Sequence, residues 1–130
     1  MRILLAEDDF VTRKFMMNFL SKYGDCDVTV DGMEAVDAFM MAMEEDEPYD
    51  LVCLDIMMPV MDGYQALMGI RNIEKERNIP EDQAVKVIMA TALNDEKNVK
   101  MAFDLGCTIY SGKPIDQERF EQVLNKFGLI

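Results

Sequence analysis

Acidic residues at two places in this chain, with a threonine and a lysine far off in sequence, are of the types that handle phosphoryl groups and divalent cations. Glu7-Asp8 follow the apolar run Ile3-Leu4-Leu5-Ala6, and Asp55 follows Leu51-Val52-Cys53-Leu54. Thr91 follows Val87-Ile88-Met89-Ala90, and Lys113 lies just beyond Thr108-Ile109-Tyr110. Carboxylates gathered at one point repel and raise one another's pKa, which makes sense when a divalent cation sits among them. An oxygen-only donor set, in a chain without histidine, favours Mg2+ over zinc, with Mn2+ able to substitute. The threonine hydroxyl can bond a phosphoryl oxygen, and the lysine adds a mobile positive charge. A nucleophilic carboxylate with these partners meets the needs of aspartyl-phosphate chemistry, in which alignment and stabilisation of the equatorial oxygens dominate.

For these residues to meet, the apolar runs must be neighbouring strands. Short unbroken apolar runs suit strands buried on both faces, as in a parallel sheet covered by helices. Ligands bind such sheets beyond the carboxyl ends of the strands. Strand and helix patterns alternate five times along the chain. The first helix carries Val11, Phe15 and Phe19 on one stripe and ends near Gly24, and Val28-Thr29-Val30 makes a short second strand. Asp31, with Glu34 three residues on, is a capping-box-like start for a helix through about Met43. Asp62 caps the third helix, Asn94 caps the fourth, and Gly106 ends it. Asp116 caps the last helix, whose Phe120, Val123, Leu124 and Phe127 form its buried stripe. The first, third and fourth strands are continuously apolar and belong in the centre. Right-handed crossovers then predict an α/β, doubly wound, five-stranded parallel sheet of order 2-1-3-4-5 with five flanking helices.

Residues 1–130 fit one domain with a substantial core. The net charge of −12, from 25 acidic and 13 basic residues without a basic cluster, argues against nucleic-acid binding. The apolar runs are far too short to cross a bilayer, so no membrane insertion is expected. Met1-Arg2-Ile3 enters the first strand at once, leaving no room for a signal peptide, and a cytoplasmic location is expected. Cys26, Cys53 and Cys107 lack metal-ligand spacing, and Cys53 reads as a reduced, buried thiol. Many of the 13 methionines fall in pairs, Met16-Met17, Met40-Met41 and Met57-Met58, so one of each pair should face a core. Met101, on the fourth helix, is the one methionine expected to serve as a contact.

The chain resembles the receiver domain of two-component response regulators (CheY-like, with a flavodoxin-like fold) over essentially all of its length. The resemblance rests on Leu5-Ala6-Glu7-Asp8-Asp9, on Asp55-Ile56-Met57-Met58-Pro59-Val60-Met61-Asp62-Gly63, on Ala90-Thr91-Ala92 and on Lys113-Pro114. It implies that Asp55 is the phosphoacceptor. Asp8 and Asp55 would bind Mg2+, with the Met57 backbone carbonyl as a further ligand and Glu7 acting directly or through water. Thr91, Ala92 and Lys113 would bind the phosphoryl group, and the Lys113-Pro114 peptide would be cis. The family pattern does not fix a role for Asp9.

A switch is implied as well. The Thr91 hydroxyl would move toward the phosphoryl group, and Tyr110 would turn into the vacated space. The face of helix four, strand five and helix five would then bind a downstream protein more tightly. The donor would be a histidine kinase or a histidine phosphotransfer protein, as in chemotaxis-type regulators and phosphorelays. The expected protein is a single-domain regulator that catalyses only its own aspartyl phosphorylation and dephosphorylation. In such domains the residues two after the phosphoacceptor and two after the threonine flank the phosphoryl group. Here they are Met57 and Leu93, both apolar, which implies slow autodephosphorylation.

Three alternatives have recognisable requirements. A haloacid-dehalogenase-like phosphatase needs an acid two residues after its nucleophile, where this chain has Met57. A flavodoxin-like cofactor module wants a Gly-, Ser- or Thr-rich phosphate loop after the first strand, where this chain has Glu7-Asp8-Asp9-Phe10. A receiver working unphosphorylated as a scaffold would not require the complete set of site residues that the chain carries.

Overall fold

The structure is a computed structural model describing residues 1–91, 96–113 and 115–130, with side chains described for these except at 91 and 96–98. Its elements are β1 (Arg2–Ala6), α1 (Phe10–Leu20), β2 (Asp25–Thr29), α2 (Gly32–Glu44), β3 (Leu51–Asp55) and α3 (Gly63–Glu76). A single 3-10 turn at Glu81–Gln83 precedes β4 (Lys86–Thr91), α4 (Glu96–Asp104), β5 (Ile109–Gly112) and α5 (Gln117–Lys126). The five strands form one parallel sheet in the order β2-β1-β3-β4-β5, as the strand chemistry predicts. Every residue of β3 is buried, and β1 is buried from Ile3 onward, because these strands are covered on both faces.

The two cores follow from strand alternation. One face of the sheet presents Leu4, Val52, Leu54, Val87 and Met89 to Phe39, Leu67, Ile70 and Ala102 of α2, α3 and α4. The other presents Ile3, Leu5, Cys53 and Ile88 to Met16, Phe19 and Leu20 of α1 and Phe120 and Leu124 of α5. There Phe120 meets Phe19 and Tyr23 edge-on, with ring centroids 5.1 and 5.5 Å apart. Burial pushes the Cys26 and Cys107 thiols up to about 11, and the Cys53 thiol higher still, so all three stay protonated.

The aspartate caps stand where the sequence puts them. Asp31 accepts from Glu34 N–H at 2.9 Å, and Asp62 and Gln65 form a full capping box. Asp116 accepts from the Glu118 and Arg119 N–H groups. Gly106, at φ +100°, turns the chain out of α4 in a conformation a side chain would strain. Asn94, the expected cap of α4, lies outside the described residues.

Three expectations need correction. The buried stripe of α1 is Met16, Phe19 and Leu20; Val11 and Phe15 are 73% and 53% exposed, and only Phe19 is shared. Strand β2 runs Asp25–Thr29, because β1 pairs with it from Arg2↔Asp25 to Ala6↔Thr29, and Val30 falls outside. Met40 and Met41 are both exposed, since Phe39 and Ala42 on either side of them take the core positions.

At the amino end of the sheet an ion pair between buried Glu74 and half-buried Arg71 joins three elements. Arg71 of α3 holds Glu74 at 2.7 Å, donates to the Val85 carbonyl at 2.9 Å, and makes two hydrogen bonds to the Gly106 carbonyl. Glu74 in turn accepts from Val85 N–H at 2.7 Å. The pair thereby pins the start of β4 and the end of α4 to α3.

Candidate functional site

The sheet order sets the carboxyl ends of β1, β3, β4 and β5 side by side. Each end delivers one expected residue: Glu7 follows β1, Asp55 and Thr91 close β3 and β4, and Lys113 follows β5. Carboxylate oxygens of Glu7, Asp8 and Asp55 lie within 4.8 Å of one another. Glu7 and Asp55 are only 2% and 8% exposed, whereas Asp8 faces solvent. Lys113 reaches into the cluster, where its ammonium hydrogen-bonds Glu7 Oε1 and stands 3.2 Å from Asp55 Oδ1. Asp55 Oδ1 also accepts from Ile56 N–H at 2.9 Å.

Three carboxyl groups thus gather around one ammonium, which contacts Glu7 and Asp55 but not Asp8. Burial, followed by the hydrogen bond with Glu7 and the charge of Glu7, pushes the Asp55 carboxyl up to about 7 against the pull of Lys113. Burial alone would lower the Lys113 pKa, but contact with Glu7 and the charge of Asp55 hold it above the usual value. The pocket therefore favours added positive charge. Its donor set suits a hard divalent cation: all carboxylate oxygens, with the Asp8 carboxylate taking no hydrogen bond or ion pair among the described residues.

The loop that carries Met57 is closed on itself. Gly63 N–H donates to the Ile56 carbonyl at 2.9 Å, and a Cβ at Gly63 would stand 2.3 Å from the Asp55 carbonyl oxygen, so only glycine fits. At its tip Met61 N–H donates to the Pro59 carbonyl at 2.7 Å, with Val60 between them at φ +68°. This is a γ-turn with a positive central φ, a strained geometry for a β-branched residue. No sequence signal announces it.

Other expected residues are placed less fully. The backbone of Thr91 pairs with Gly112, next to the Asp55↔Ala90 pairing. Its side chain, together with Ala92, Leu93, Pro114 and hence the Lys113-Pro114 peptide, lies outside the described residues. Tyr110 is half-buried against the α3–α4 side of the core, and Met57 is 66% exposed. Asp9 is not one of the clustered acids. It caps α1, accepting from Thr12 N–H at 2.8 Å and from the Thr12 hydroxyl at 2.7 Å, bonds that hold its carboxyl below the usual range. The spacing Asp9-x-x-Thr12 at a helix start is the signal for that role.

Residues 3–125 match the response regulator receiver domain. The chain is 32% identical over 123 residues to "Probable transcriptional regulator ycf29" of Porphyra purpurea, covering 94% of this chain and 54% of that protein. It is 31% identical to "Probable histidine kinase 2" of Oryza sativa subsp. indica over 96% of its own length and 12% of that protein. It thus spans about half of the first relative and a small part of the second. Among solved structures, a chain of the CheX-CheY-BeF3-Mg+2 complex from Borrelia burgdorferi is 29% identical, with a TM-score of 0.79 over 97% of this chain and 88% of that one. With its sheet order, its acid cluster and this match over nearly its whole length, the chain belongs to the response regulator receiver domain family, the signalling domains of two-component systems.

Proposed function

We propose that residues 1–130 act as one receiver domain whose Asp55 accepts a phosphoryl group from a phosphohistidine donor. The observation that carries this reading is the buried Asp55 carboxyl within 4.8 Å of the Glu7 and Asp8 oxygens, with Lys113 beside it. Glu7, Asp8, Asp55 and the Met57 carbonyl would hold Mg2+, which supplies neutralisation of the phosphoryl oxygens when bound. An Asp55 oxygen then attacks phosphorus as the donor's N–P bond breaks, and the electron pair of that bond leaves with the imidazole. Lys113 moves from Glu7 and Asp55 to the new phosphoryl oxygens, and Thr91 with Ala92 binds another. Hydrolysis returns inorganic phosphate, so the domain modifies only itself.

The donor is a histidine kinase or a histidine phosphotransfer protein, and the relatives of this chain include a probable histidine kinase similar to it over 12% of that protein's length. Output runs through Thr91 and Tyr110 to the face of α4, β5 and α5, where Met101 is 41% exposed. Among the described residues no helix is long and apolar enough to cross a membrane. The test is intact-mass analysis after incubation with acetyl phosphate, with and without Mg2+, for wild type and Asp55→Asn. A phosphoryl adduct that needs Mg2+ and is lost in the variant supports the reading. No adduct, despite measurable Mg2+ binding, favours the scaffold alternative.

A further inference from the structure

The charge of this chain is not spread over it. Between Tyr23 and Ile70 there are twelve acidic residues and no basic one, while the remaining thirteen acids are matched by thirteen bases. The whole net charge of −12 therefore belongs to the segment that builds β2, α2, β3 and the first half of α3. Within that segment α2 is the helix with the largest uncovered apolar content.

Gly32, Ala35, Phe39 and Ala42 turn α2 toward the core. On the opposite side, Met33, Asp37, Met40, Met41 and Glu44 recur at helical spacing, so they share one surface. Met33, Met40 and Met41 are 49%, 39% and 57% exposed. Single exposed apolar residues are ordinary. Three thioethers on one face of one helix, in a helix with no lysine or arginine, are a patterned exception. Neither Asp37 nor Glu44 makes an ion pair or side-chain hydrogen bond among the described residues, and α2 runs on into Glu45-Asp46-Glu47.

The charge sign selects the occupant. A second copy of this face would bring the same carboxylates opposite these, and an anionic membrane would be repelled in the same way. Flexible thioethers repack around varied apolar side chains, and flanking carboxylates complement a cationic border. We propose that the outer face of α2 is a docking surface for a cationic amphipathic helix of a partner protein, separate from the phosphoryl site. The helix would set its apolar stripe on Met33, Met40 and Met41 and its Lys or Arg residues against Asp37, Glu44 and the acids that follow.

The probe is a Leu/Lys amphipathic peptide of about 18 residues, long enough to form a helix on contact. It is titrated into protein labelled on methionine methyls, at roughly 0.15 M salt. A Leu/Glu peptide of the same pattern is the control. The expected result is shifts at the Met33, Met40 and Met41 methyls with the Leu/Lys peptide alone. Combined Met33→Gln, Met40→Gln and Met41→Gln should weaken binding by about tenfold or more, which is a 1.4 kcal/mol loss. Asp37→Asn with Glu44→Gln should weaken it too and flatten its salt dependence. None of these residues touches Asp55, so unchanged labelling by acetyl phosphate shows that the variants are folded. Absence of binding, shifts centred on α1 or the acid pocket, equal binding of the Leu/Glu peptide, or undiminished binding by the methionine variant would each overturn the proposal.

Discussion

Two charged sites, each centred on buried carboxylate, lie at opposite ends of the same sheet, and they are built on opposite principles. At the amino end, Arg71 and Glu74 are one cation and one anion, and their remaining capacity is taken up by the Val85 and Gly106 backbone groups. At the carboxyl end, Glu7, Asp8 and Asp55 lie together, and the Lys113 ammonium pairs with Glu7 and Asp55 alone. The first site is complete as it stands. The second has more negative than positive charge and open acceptors at its rim. That imbalance, rather than burial of charge as such, separates a site fitted to take up a cation from one that only holds the fold.

The largest expected effect breaks the balanced site. Arg71→Met leaves the Glu74 carboxylate, 5% exposed, facing only Val85 N–H, and strips the Gly106 and Val85 carbonyls of their donor. Removing one partner of a buried pair costs about 3–5 kcal/mol. Urea unfolding should show that loss, and Arg71→Met with Glu74→Leu should recover part of it, because no buried charge is then left alone. A single variant as stable as wild type would mean the pair is not structural.

Removing a charge from the unbalanced site should do the reverse. The Asp55 pKa is raised from 3.8 to about 7. Below the unfolded value the carboxyl is protonated in both states and contributes nothing. Between the two values the folded state alone keeps the proton, so the group's destabilising effect grows with pH and is complete above about 7. Asp55→Asn should therefore stabilise the domain by roughly 2–4 kcal/mol at pH 8, with the advantage shrinking toward pH 4. Millimolar Mg2+ should raise the melting temperature of wild type more than that of the variant. Thermal melts across pH, with and without Mg2+, decide the matter; a variant less stable at pH 8 would sink the account of the imbalance.

The rim of the unbalanced site supplies a smaller, kinetic test. Met57 is 66% exposed beside Asp55, and its thioether cannot hold an attacking water by a strong hydrogen bond. Leu93 is likewise apolar by sequence. Met57→Asn with Leu93→Glu should shorten the phosphoaspartate lifetime by about tenfold, equivalent to about 1.4 kcal/mol of barrier. The lifetime is read by intact mass after removing acetyl phosphate, and an unchanged value would rule out tuning by these side chains.

The unbalanced site was the more legible of the two, for a physical reason. Each of its residues ends or follows an apolar run, and a parallel sheet gathers strand ends whatever their separation in sequence. The Arg71–Glu74 pair stayed hidden because a charged i, i+3 pair on a helix reads as solvent-exposed until the neighbouring loops cover it. The β2 start was masked because an edge strand tolerates charges: Asp25 and Asp27 are exposed while Cys26 and Val28 face inward. In α1 two apolar stripes overlap at Phe19, and only packing against α5 selects the one through Met16 and Leu20. The full reach of Lys113 into the acid cluster was likewise beyond sequence, which gave its strand end but not its partners.

Strain at Val60 offers the smallest test of the same contrast. Among described non-glycine residues with positive φ it is the only β-branched one; the others are Asp46 and Asn78, whose short polar side chains suit that region. The turn persists because its ends are tied elsewhere, by Gly63 N–H to Ile56 and by Gly32 N–H to the Met61 carbonyl, each at 2.9 Å. Such a position stores on the order of 1–3 kcal/mol. Val60→Gly releases that strain but adds backbone freedom to the unfolded chain, an opposing effect of about 0.5–1 kcal/mol. The net expectation is a gain of about 1 kcal/mol, seen as a rise of about 3–5 °C in melting temperature. Val60→Ile, which keeps the branch, should show no gain. If glycine instead lowers the melting temperature, the loop beside Asp55 is held by the valine side chain and not against it.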